Sequence, residues 1–479
     1  MDALAVPSNP FFGVGPISDG SCDAQDMADK RAAFETWLTE TYRKQDATGR
    51  DIGGYSAAEL ALSMHRGEPA DSILRDMMRT IHGYFGFPAS NRMAVGLGGG
   101  HTGFTVAVQH LMTLHDPAQQ VFVDTPMPET PAAAACGFFR QSWATQIIEM
   151  CALARDGTTD ALHFASSDGA IPDRAELERR GIRLFIGVGH ETTGASTYTT
   201  AQMRGLLDWL AGDPENRHAI LDATSLLGAM PWSEAMNVEV LARCCVFMPL
   251  QKAIGGVAGY WVASFTPQAL AQIERNLQRP SWAIPRQQCL AVPTDPSRPL
   301  SGGRSVANGP FYDAVADRMT GGVINTYSLL AFAETTFALR RQRERIGPVE
   351  VLNARSMANR QRIEDWVASE PLFDFAVPEP ERRGAAVTLL RVIDPEAGPH
   401  HARILAKAKQ LLGHEGLVDQ AGHHQPGLNA ARYVNAFPGM PGDFRAWIGG
   451  IRPPEDIDAL LSAFKFAWLE ARTAVLAEG

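Results

Sequence analysis

The sequence is poor in cysteine and in positive charge. Six cysteines occur in 479 residues, and Cys244 and Cys245 are adjacent in an apolar run. This pattern favours reduced core thiols over a disulfide framework or a zinc site. The formal net charge of −10 excludes the general basic field that nucleic-acid-binding proteins carry. We therefore expect no nucleic-acid partner, and any anionic ligand must be held by local groups.

Long apolar segments are also missing. Residues 1–7 lack the basic region and apolar core of a signal peptide, and no stretch reaches membrane-spanning length. We therefore expect a cytoplasmic protein with no membrane partner. The chain shows no internal repeat, and 45% of its residues are hydrophobic. That composition is sufficient for a large core and for two domains.

Short apolar runs alternate with helical stretches from residue 93 onward. Strands are predicted at residues 93–95, 121–123, 184–188, 219–222 and 259–263, and helices at 104–114, 200–210 and 268–277. This alternation predicts an α/β domain with a mainly parallel sheet. Residues 280–310 are rich in Pro, Gly, Ser and Arg without a period, which predicts a long loop or insertion. Further strands are predicted at residues 385–392 and 444–448.

A glycine cluster at residues 96–103 lies between a predicted strand and a predicted helix. Backbone amides and the helix dipole can bind a phosphate at such a place. Gly98, Gly100 and Gly103 also have the G-x-G-x-x-G spacing of dinucleotide sites, and Asp124 ends the next strand. A dinucleotide-dependent oxidoreductase is therefore an alternative. A turn that only packs the helix closely on the sheet is another.

Two ionisable residues each follow a buried strand. Asp222 can pair with a pyridinium nitrogen, or it can serve only as a helix N-cap. Lys252 follows the apolar run 244–250 and is either a solvated lysine or a Schiff-base lysine. Ligands of open α/β sheets gather at the carboxyl ends of the strands. The glycine cluster, Asp222 and Lys252 would therefore meet in one crevice.

These residues resemble the class V, fold-type I pyridoxal-phosphate aminotransferases, and among them the phosphoserine aminotransferases. The resemblance follows the family's order at residues 14–16, 64–67, 98–100, 190–192, 222–225, 251–252, 325–326 and 444–446. It implies a large domain (61–335, with the insertion at about 280–310) built on a mainly parallel seven-stranded sheet. A smaller α+β C-terminal domain (336–479) would follow, with an N-terminal segment (1–60) packing on it.

The resemblance also implies roles for the residues. Lys252 would form a Schiff base with pyridoxal 5′-phosphate and shuttle a proton, and Asp222 would hold the ring nitrogen. Thr192 would bind the phenolic oxygen, and Phe139 would stack on the ring face unless it is a core phenylalanine. The resemblance also implies a homodimer with shared active sites, in which both subunits hold the cofactor phosphate. One subunit would contribute Gly100, His101, Thr102 and Gln251, and the second would contribute Asn325 and Thr326.

Arg445 is similar to the family's arginine for the substrate carboxylate, and the alternative is an exposed surface arginine. His65 and Arg66 resemble the pair that holds a distal phosphate, although a helix cap or a solvated pair is an equal alternative. His101 and His190 stand where relatives carry arginine and asparagine.

Other features also depart from the family's pattern. The basic residues expected just before Arg445 are absent, and Arg432 is the nearest. Arg286 and Arg304 of the insertion are further candidates for anion contacts. Phosphoserine itself is thus left open among the anionic amino acids.

The sequence therefore predicts a pyridoxal-phosphate aminotransferase. It would move an amino group between an anionic amino acid, phosphoserine- or dicarboxylate-like, and a 2-oxo acid. The electron-withdrawing ring of pyridoxal phosphate also serves lyases, decarboxylases and desulfurases, so these enzymes stay as alternatives. A desulfurase needs a mobile cysteine, for which only Cys289 is a candidate. The remaining alternatives are the dinucleotide-dependent oxidoreductase and a catalytically silent binding protein on the same fold.

Overall fold

The computed structural model describes residues 24–63, 68–133, 136–154, 159–252, 254–284, 288–290, 311–320, 327–415, 417–418, 424–425, 434 and 442–478. The helices are α1 (Ala24–Thr41), α2 (Ala57–Leu62), α3 (Ala70–Phe85), α4 (Gly100–Leu111), α5 (Phe138–Ala152), α6 (Arg174–Arg179), α7 (Thr200–Gly212), α8 (Glu234–Arg243), α9 (Pro267–Gln278), α10 (Leu329–Ile346), α11 (Val349–Ser369), α12 (His401–Gln410) and α13 (Pro454–Ala477).

The strands are β1 (Arg43–Gln45), β2 (Asp51–Gly54), β3 (Arg92–Leu97), β4 (Gln120–Val123), β5 (Leu162–Phe164), β6 (Ile182–Val188), β7 (His190–Glu191), β8 (Ser196–Thr197), β9 (His218–Asp222), β10 (Cys245–Pro249), β11 (Tyr260–Phe265), β12 (Phe311–Asp313), β13 (Arg318–Thr320), β14 (Phe373–Phe375), β15 (Val387–Val392), β16 (Leu417–Val418), β17 (His424–Gln425) and β18 (Phe444–Trp447).

Nine strands of the described chain form one sheet, in the order β13-β12-β3-β11-β10-β9-β6-β4-β5. Strands β10, β9, β6, β4 and β5 pair in parallel, whereas β11 runs antiparallel to both of its neighbours, β3 and β10. The seven strands from β3 to β5 confirm the predicted mainly parallel sheet. The hairpin of β12 and β13 adds two strands beyond β3.

The central strands are mostly apolar because both faces of the sheet are largely buried. Successive side chains of a strand point to opposite faces. Val121 and Val123 of β4 belong to one apolar cluster, with Trp143 of α5, whereas Phe122 belongs to the cluster on the other face, with Trp209 of α7. The sheet is thus a rigid layer between helices, and its strand ends provide fixed positions for a site.

A separate antiparallel sheet, in the order β14-β15-β18, follows later in the chain. Its core includes Ile404 of α12, Phe444 of β18 and Trp468 of α13. This arrangement confirms the predicted smaller α+β C-terminal region. The boundaries proposed for the three domains stay predictions, and most of the insertion lies outside the described residues.

Helix α4 begins four residues earlier than the sequence predicted. The prediction began at Phe104, because glycines are weak helix formers, but Gly99 is the extended N-cap and Gly100 is the first helical residue. His101 and Thr102 therefore belong to the first turn of the helix. Among the helices that the structure describes, none is both long and apolar enough to cross a bilayer.

Candidate active site

A cavity of about 200 Å³ lies where three parallel strands end beside the N-terminus of α4. Val188, Asp222 and Pro249 are the last residues of β6, β9 and β10, and all three line it. The structure brings together in this cavity most of the residues predicted for the cofactor: Gly100, His101, Phe139, Thr192, Asp222, Gln251 and Lys252. We refer to it below as the strand-end cavity.

Lys252 occupies an unusual backbone conformation. Its φ of +67° lies in the left-handed region, which costs a residue with a side chain about 1 kcal/mol or more. Two hydrogen bonds fix the turn, from the Gly255 N–H to the Lys252 carbonyl (3.0 Å) and from the Gly256 N–H to the Leu250 carbonyl (2.7 Å). Backbone strain of this kind concentrates at functional sites, where the surrounding structure enforces it.

The Lys252 side chain is partly buried. Its Nζ lies 4.6 Å from the ring centroid of Trp447. Burial and, to a smaller extent, the positive charge of Arg445 lower the pKa of Lys252 from 10.5 to about 8, against the opposing effect of Asp222. An amine with this pKa is neutral, and therefore nucleophilic, in a large fraction of molecules near pH 8.

Asp222 presents a buried carboxylate to the strand-end cavity. Its Oδ1 accepts a hydrogen bond from the Thr224 N–H (2.9 Å), and its Oδ2 accepts one from Trp143 Nε1 (3.0 Å). Both donors are uncharged, and burial raises the pKa of this carboxyl. A buried carboxylate is costly without a cation nearby, so a protonated ring nitrogen in the cavity would be a fitting partner.

The first turn of α4 forms one wall of the cavity. Gly98 has φ +103°, and a Cβ at this position would lie only 2.2 Å from Thr102 Oγ1. Glycine is therefore required for the turn, and the Thr102 side chain lies against Gly98. Gly99, Gly100 and His101 line the cavity, whereas Thr102 is not among its lining residues. Backbone amides of such a first turn suit an anion.

Helix α5 supplies the aromatic side of the cavity. The Phe139 ring is half-buried and lines the cavity, as a residue stacking on a ring requires. Trp143, which sequence reasoning missed, lines the cavity and donates to Asp222. The His101 ring lies edge-on to Trp143, with centroids 4.6 Å apart, and its Nε2 is 3.0 Å from Ser142 Oγ. A buried indole N–H needs an acceptor, but no local pattern identifies Asp222 as that acceptor.

Arg445 of β18 reaches the loop after β7. Its Nε donates to the Thr192 carbonyl (2.9 Å), and its guanidinium lies 4.8 Å from the centroid of Trp447. Only 7% of Arg445 is exposed, so it is not a surface arginine. Trp447, also missed from sequence, contacts both cations of the site. The structure thus brings the predicted substrate arginine close to Lys252 and Thr192.

A buried ionic network fixes the walls of the cavity. Arg140 is fully buried, and its guanidinium donates to Asp124 (2.9 Å), to Asp168 (3.1 Å) and to the Val188 carbonyl (3.1 Å). The Arg140 backbone N–H donates to Glu191 (3.0 Å). The network therefore connects the start of α5, next to Phe139, with the segment that carries Val188 and Thr192.

Several predicted residues lie outside the described part of the chain. They are His65, Arg66, Asn325 and Thr326, together with the candidate anion contacts Arg286, Arg304 and Arg432. Within the described part, no group of three His, Cys, Asp or Glu residues is arranged to hold a metal ion.

Comparison with known proteins gave matches by structure alone. No family model and no curated protein matches the sequence. A phosphoserine aminotransferase from Cytophaga hutchinsonii superposes with a TM-score of 0.59 at 11% identity, over 97% of this chain and 99% of the other. A pyridoxal-phosphate-bound phosphoserine aminotransferase from Trichomonas vaginalis has a TM-score of 0.55 at 17% identity, over 97% of this chain and 100% of the other.

A pyridoxamine-pyruvate aminotransferase from Mesorhizobium loti is also similar. It superposes with a TM-score of 0.58 at 12% identity, over 100% of this chain and 98% of the other. At these identities the likeness shows the fold. This chain therefore has the fold of these solved aminotransferases, which agrees with the fold that the sequence resemblance implied.

Proposed function

We propose that this protein is a pyridoxal-phosphate-dependent aminotransferase. It moves an amino group between an anionic amino acid, phosphoserine- or dicarboxylate-like, and a 2-oxo acid. The observation that carries the proposal is that Lys252, on its strained turn, and the buried Asp222 line one cavity at the strand ends. The likeness to solved aminotransferases supports it.

The residues of the strand-end cavity fit pyridoxal phosphate. Asp222, whose two donors are neutral, would hold the protonated ring nitrogen, and Phe139 would cover a ring face. Thr192 would bind the phenolic oxygen. The phosphate would lie at the first turn of α4, held by Gly100, His101, Thr102 and Gln251. When bound, this group supplies an electron sink for negative charge at the substrate α-carbon.

The chain's own residues bind the substrate and move its proton. The Lys252 amine, with its pKa of about 8, would hold the cofactor covalently and, once released from it, would carry the proton at the substrate α-carbon. Arg445 holds the substrate carboxylate, a task suited to a planar guanidinium. His65 and Arg66 stay as proposed contacts for the distal anionic group.

The structure argues against the dinucleotide-dependent oxidoreductase. In a dinucleotide site, Asp124 would bind the ribose from the end of a strand that neighbours the one leading into the glycine turn. Asp124 follows β4 and the glycine turn follows β3, but β4 is five positions from β3 in the sheet. That separation is roughly 24 Å at the usual strand spacing. Asp124 is moreover buried and paired with Arg140.

The desulfurase alternative loses its candidate nucleophile. Cys136, Cys151, Cys244, Cys245 and Cys289 are all buried. Cys289 does not line the strand-end cavity. Core thiols that are not joined in disulfides within the described part of the chain also support the proposed cytoplasmic location, because an oxidising compartment favours disulfides.

We further propose a homodimer with shared active sites, in which Asn325 and Thr326 reach the phosphate of the neighbouring subunit. The support for this proposal is the resemblance of residues 325–326 to the family's pattern. The two residues lie outside the described part of the chain, so subunit mixing has to test the arrangement.

An absorption spectrum tests the proposed function. The wild-type protein with pyridoxal phosphate should show a visible band that borohydride bleaches, and Lys252→Ala should lack it. Lys465→Ala is the matched control, since Lys465 pairs with Glu370 in the small domain and should leave the band intact. A panel of amino acids should then convert the cofactor to its pyridoxamine form. A colourless protein that binds a nicotinamide nucleotide contradicts the proposal.

A further inference from the structure

The turn that carries Lys252 is closed on itself and rests on helix α10. It comprises residues 250–252 and 254–256, and we call it the Lys252 turn. The hydrogen bonds from the Gly256 N–H to the Leu250 carbonyl and from the Gly255 N–H to the Lys252 carbonyl close it. Lys252 and Gly255 both lie in the left-handed region, with φ of +67° and +72°. The turn therefore has little freedom to adjust internally, and its position depends on what it packs against.

Thr335 of α10 lies directly behind Gly256. A Cβ added to Gly256 would lie only 2.3 Å from Thr335 Oγ1 and 2.8 Å from Thr335 Cγ2. Thr335 is fully buried, and its hydroxyl donates to the Ala331 carbonyl (2.8 Å), which fixes its rotamer. Gly256 does not lie in the left-handed region, so this position requires glycine for lack of space. The close approach of two backbones is an ordinary reason for a glycine.

The start of α10 is attached to the strand beside the Lys252 turn. Ser328 is the N-cap of α10, and its N–H donates to the hydroxyl oxygen of Tyr260 (2.8 Å). Tyr260 begins β11, and its carbonyl accepts a hydrogen bond from the Leu250 N–H (3.1 Å). Ser328 and Thr335 are about two helical turns apart, so they lie on the same side of α10. One face of α10 therefore contacts both β11 and the Lys252 turn.

The contact with α10 is separate from the cofactor side of the turn. Lys252 lines the strand-end cavity, and neither Gly255 nor Gly256 is among the residues that line it. The two glycines instead line a groove of about 750 Å³ between α1 and α10. A change in the distance between α10 and the turn would therefore move the Lys252 amine within the strand-end cavity without placing a new group there.

We propose that Gly256 is a positioning residue for Lys252. Because Gly256 carries no side chain, the Lys252 turn packs directly on Thr335, and α10 thereby sets the position of the amine. The proposal rests on the proposed function, because it concerns the residue that would hold pyridoxal phosphate. Ordinary contact needs 3.4 Å or more, so a methyl group on Gly256 would separate the turn from α10 by about 1 Å. A displacement of that size can lower a rate by about two orders of magnitude.

Capture of pyridoxal phosphate by the cofactor-free protein, followed by stopped-flow through the visible band, tests the proposal. Gly256→Ala should capture the cofactor about 10- to 100-fold more slowly than the wild type. Adding Thr335→Ala removes the two atoms that oppose the new methyl group, so this double variant should recover most of the rate. Adding Thr336→Ala instead is the matched control. Thr336 is equally buried and donates to the Phe332 carbonyl (2.9 Å), and this second double variant should stay slow.

Binding of pyridoxamine phosphate, measured by calorimetry, separates the position of Lys252 from general damage to the cavity. This analogue has no carbonyl group for the amine to attack, so Gly256→Ala should bind it about as tightly as the wild type does. Capture of pyridoxal phosphate at the wild-type rate by Gly256→Ala overturns the proposal. An equal loss of affinity for pyridoxamine phosphate, or recovery of the rate by Thr336→Ala, also overturns it.

A second variant covers the case in which Gly256→Ala does not fold. Thr335→Ile adds bulk to the same contact from the helix side, and it should slow the capture of pyridoxal phosphate in the same way. A wild-type protein without a visible band defeats the proposed function itself. A visible band with equal capture rates in all variants defeats only the assignment of Gly256.

Discussion

At the scale of single residues, burial moves Lys252 and Asp222 in the same direction, towards their neutral forms. It lowers the pKa of the Lys252 amine and raises that of the Asp222 carboxyl. A neutral amine is the reactive form of a lysine, and a carboxylate without a cationic partner is ready to pair with a ring nitrogen. Asp222 ends the buried strand β9 and Lys252 lies three residues after the buried strand β10, which is why their sequence neighbourhood predicted them.

Arg445 tunes the reactivity of Lys252. A nearby positive charge disfavours a second one, so removing it should raise the pKa of Lys252 above about 8. The rate at which the cofactor-free protein captures pyridoxal phosphate should rise with pH as Lys252 loses its proton. In Arg445→Gln, the pH midpoint of this rise should therefore be higher than in the wild type. Stopped-flow absorbance across pH 6 to 10 measures it. Arg391→Gln, which removes a surface pair with Asp374, is the control. A midpoint that stays in place or falls contradicts this account.

Asp222 should matter for the rate more than for cofactor capture. Asp222→Asn keeps the size of the side chain but removes the charge that would hold a protonated ring nitrogen. Loss of one partner of a buried ion pair costs about 3 kcal/mol or more, which is about two orders of magnitude in rate. Steady-state assays should show this fall in kcat/KM while the visible band persists. No helix begins directly after Asp222, so activity within threefold of the wild type would show that its carboxylate only fixes the turn at Thr224.

At the scale of secondary structure elements, the Arg140 network connects pieces that the sequence keeps apart. It joins α5 to the ends of β4 and β6 and to the Glu191 segment. Periodicity predicted most strands of the large sheet and the helices α4, α7 and α9, because their apolar patterns are local. Arg140, Trp143 and Trp447 were not predicted, because each acts through residues distant in sequence, as Trp143 does through Asp222. The start of α4 was also misplaced, since its glycines are unfavourable in a helix by propensity alone.

Arg140→Met should destabilise the protein strongly. It leaves the buried Asp124 without its cation and Asp168 without its guanidinium partner, at a cost of about 3–5 kcal/mol. Urea unfolding of the cofactor-free protein gives the free energy of unfolding. Arg174→Met, which breaks an exposed pair with Glu178, should have little effect. Equal stabilities of the two variants would mean that the network does not hold the cavity walls.

At the scale of the whole molecule, the sequence predicted the mainly parallel sheet and two strands of the C-terminal sheet, β15 and β18, but not the edge hairpin of β12 and β13. The assembly does not follow from sequence patterns, because an interface between copies leaves no periodic signal. The proposed homodimer and the contacts of Asn325 and Thr326 therefore depend on the resemblance to the class V aminotransferases. They need an experiment on the intact protein.

Analytical ultracentrifugation should give twice the mass of one chain. Mixing inactive Lys252→Ala with an inactive double variant, Asn325→Ala with Thr326→Ala, should restore part of the activity, since a mixed dimer contains one site with every residue intact. The control is each variant mixed with itself. A monomer, or a mixture that stays inactive although the subunits exchange, would show that the sites are not shared.

The central claim is that the Lys252 amine forms a covalent Schiff base with pyridoxal phosphate. The most direct measurement is borohydride reduction of the loaded wild-type protein, followed by proteolysis and peptide mass spectrometry. The account predicts a pyridoxyl-phosphate adduct on the peptide that contains Lys252, in a yield close to one per chain. An adduct on another lysine, or no adduct in a protein that has bound the cofactor, would contradict it.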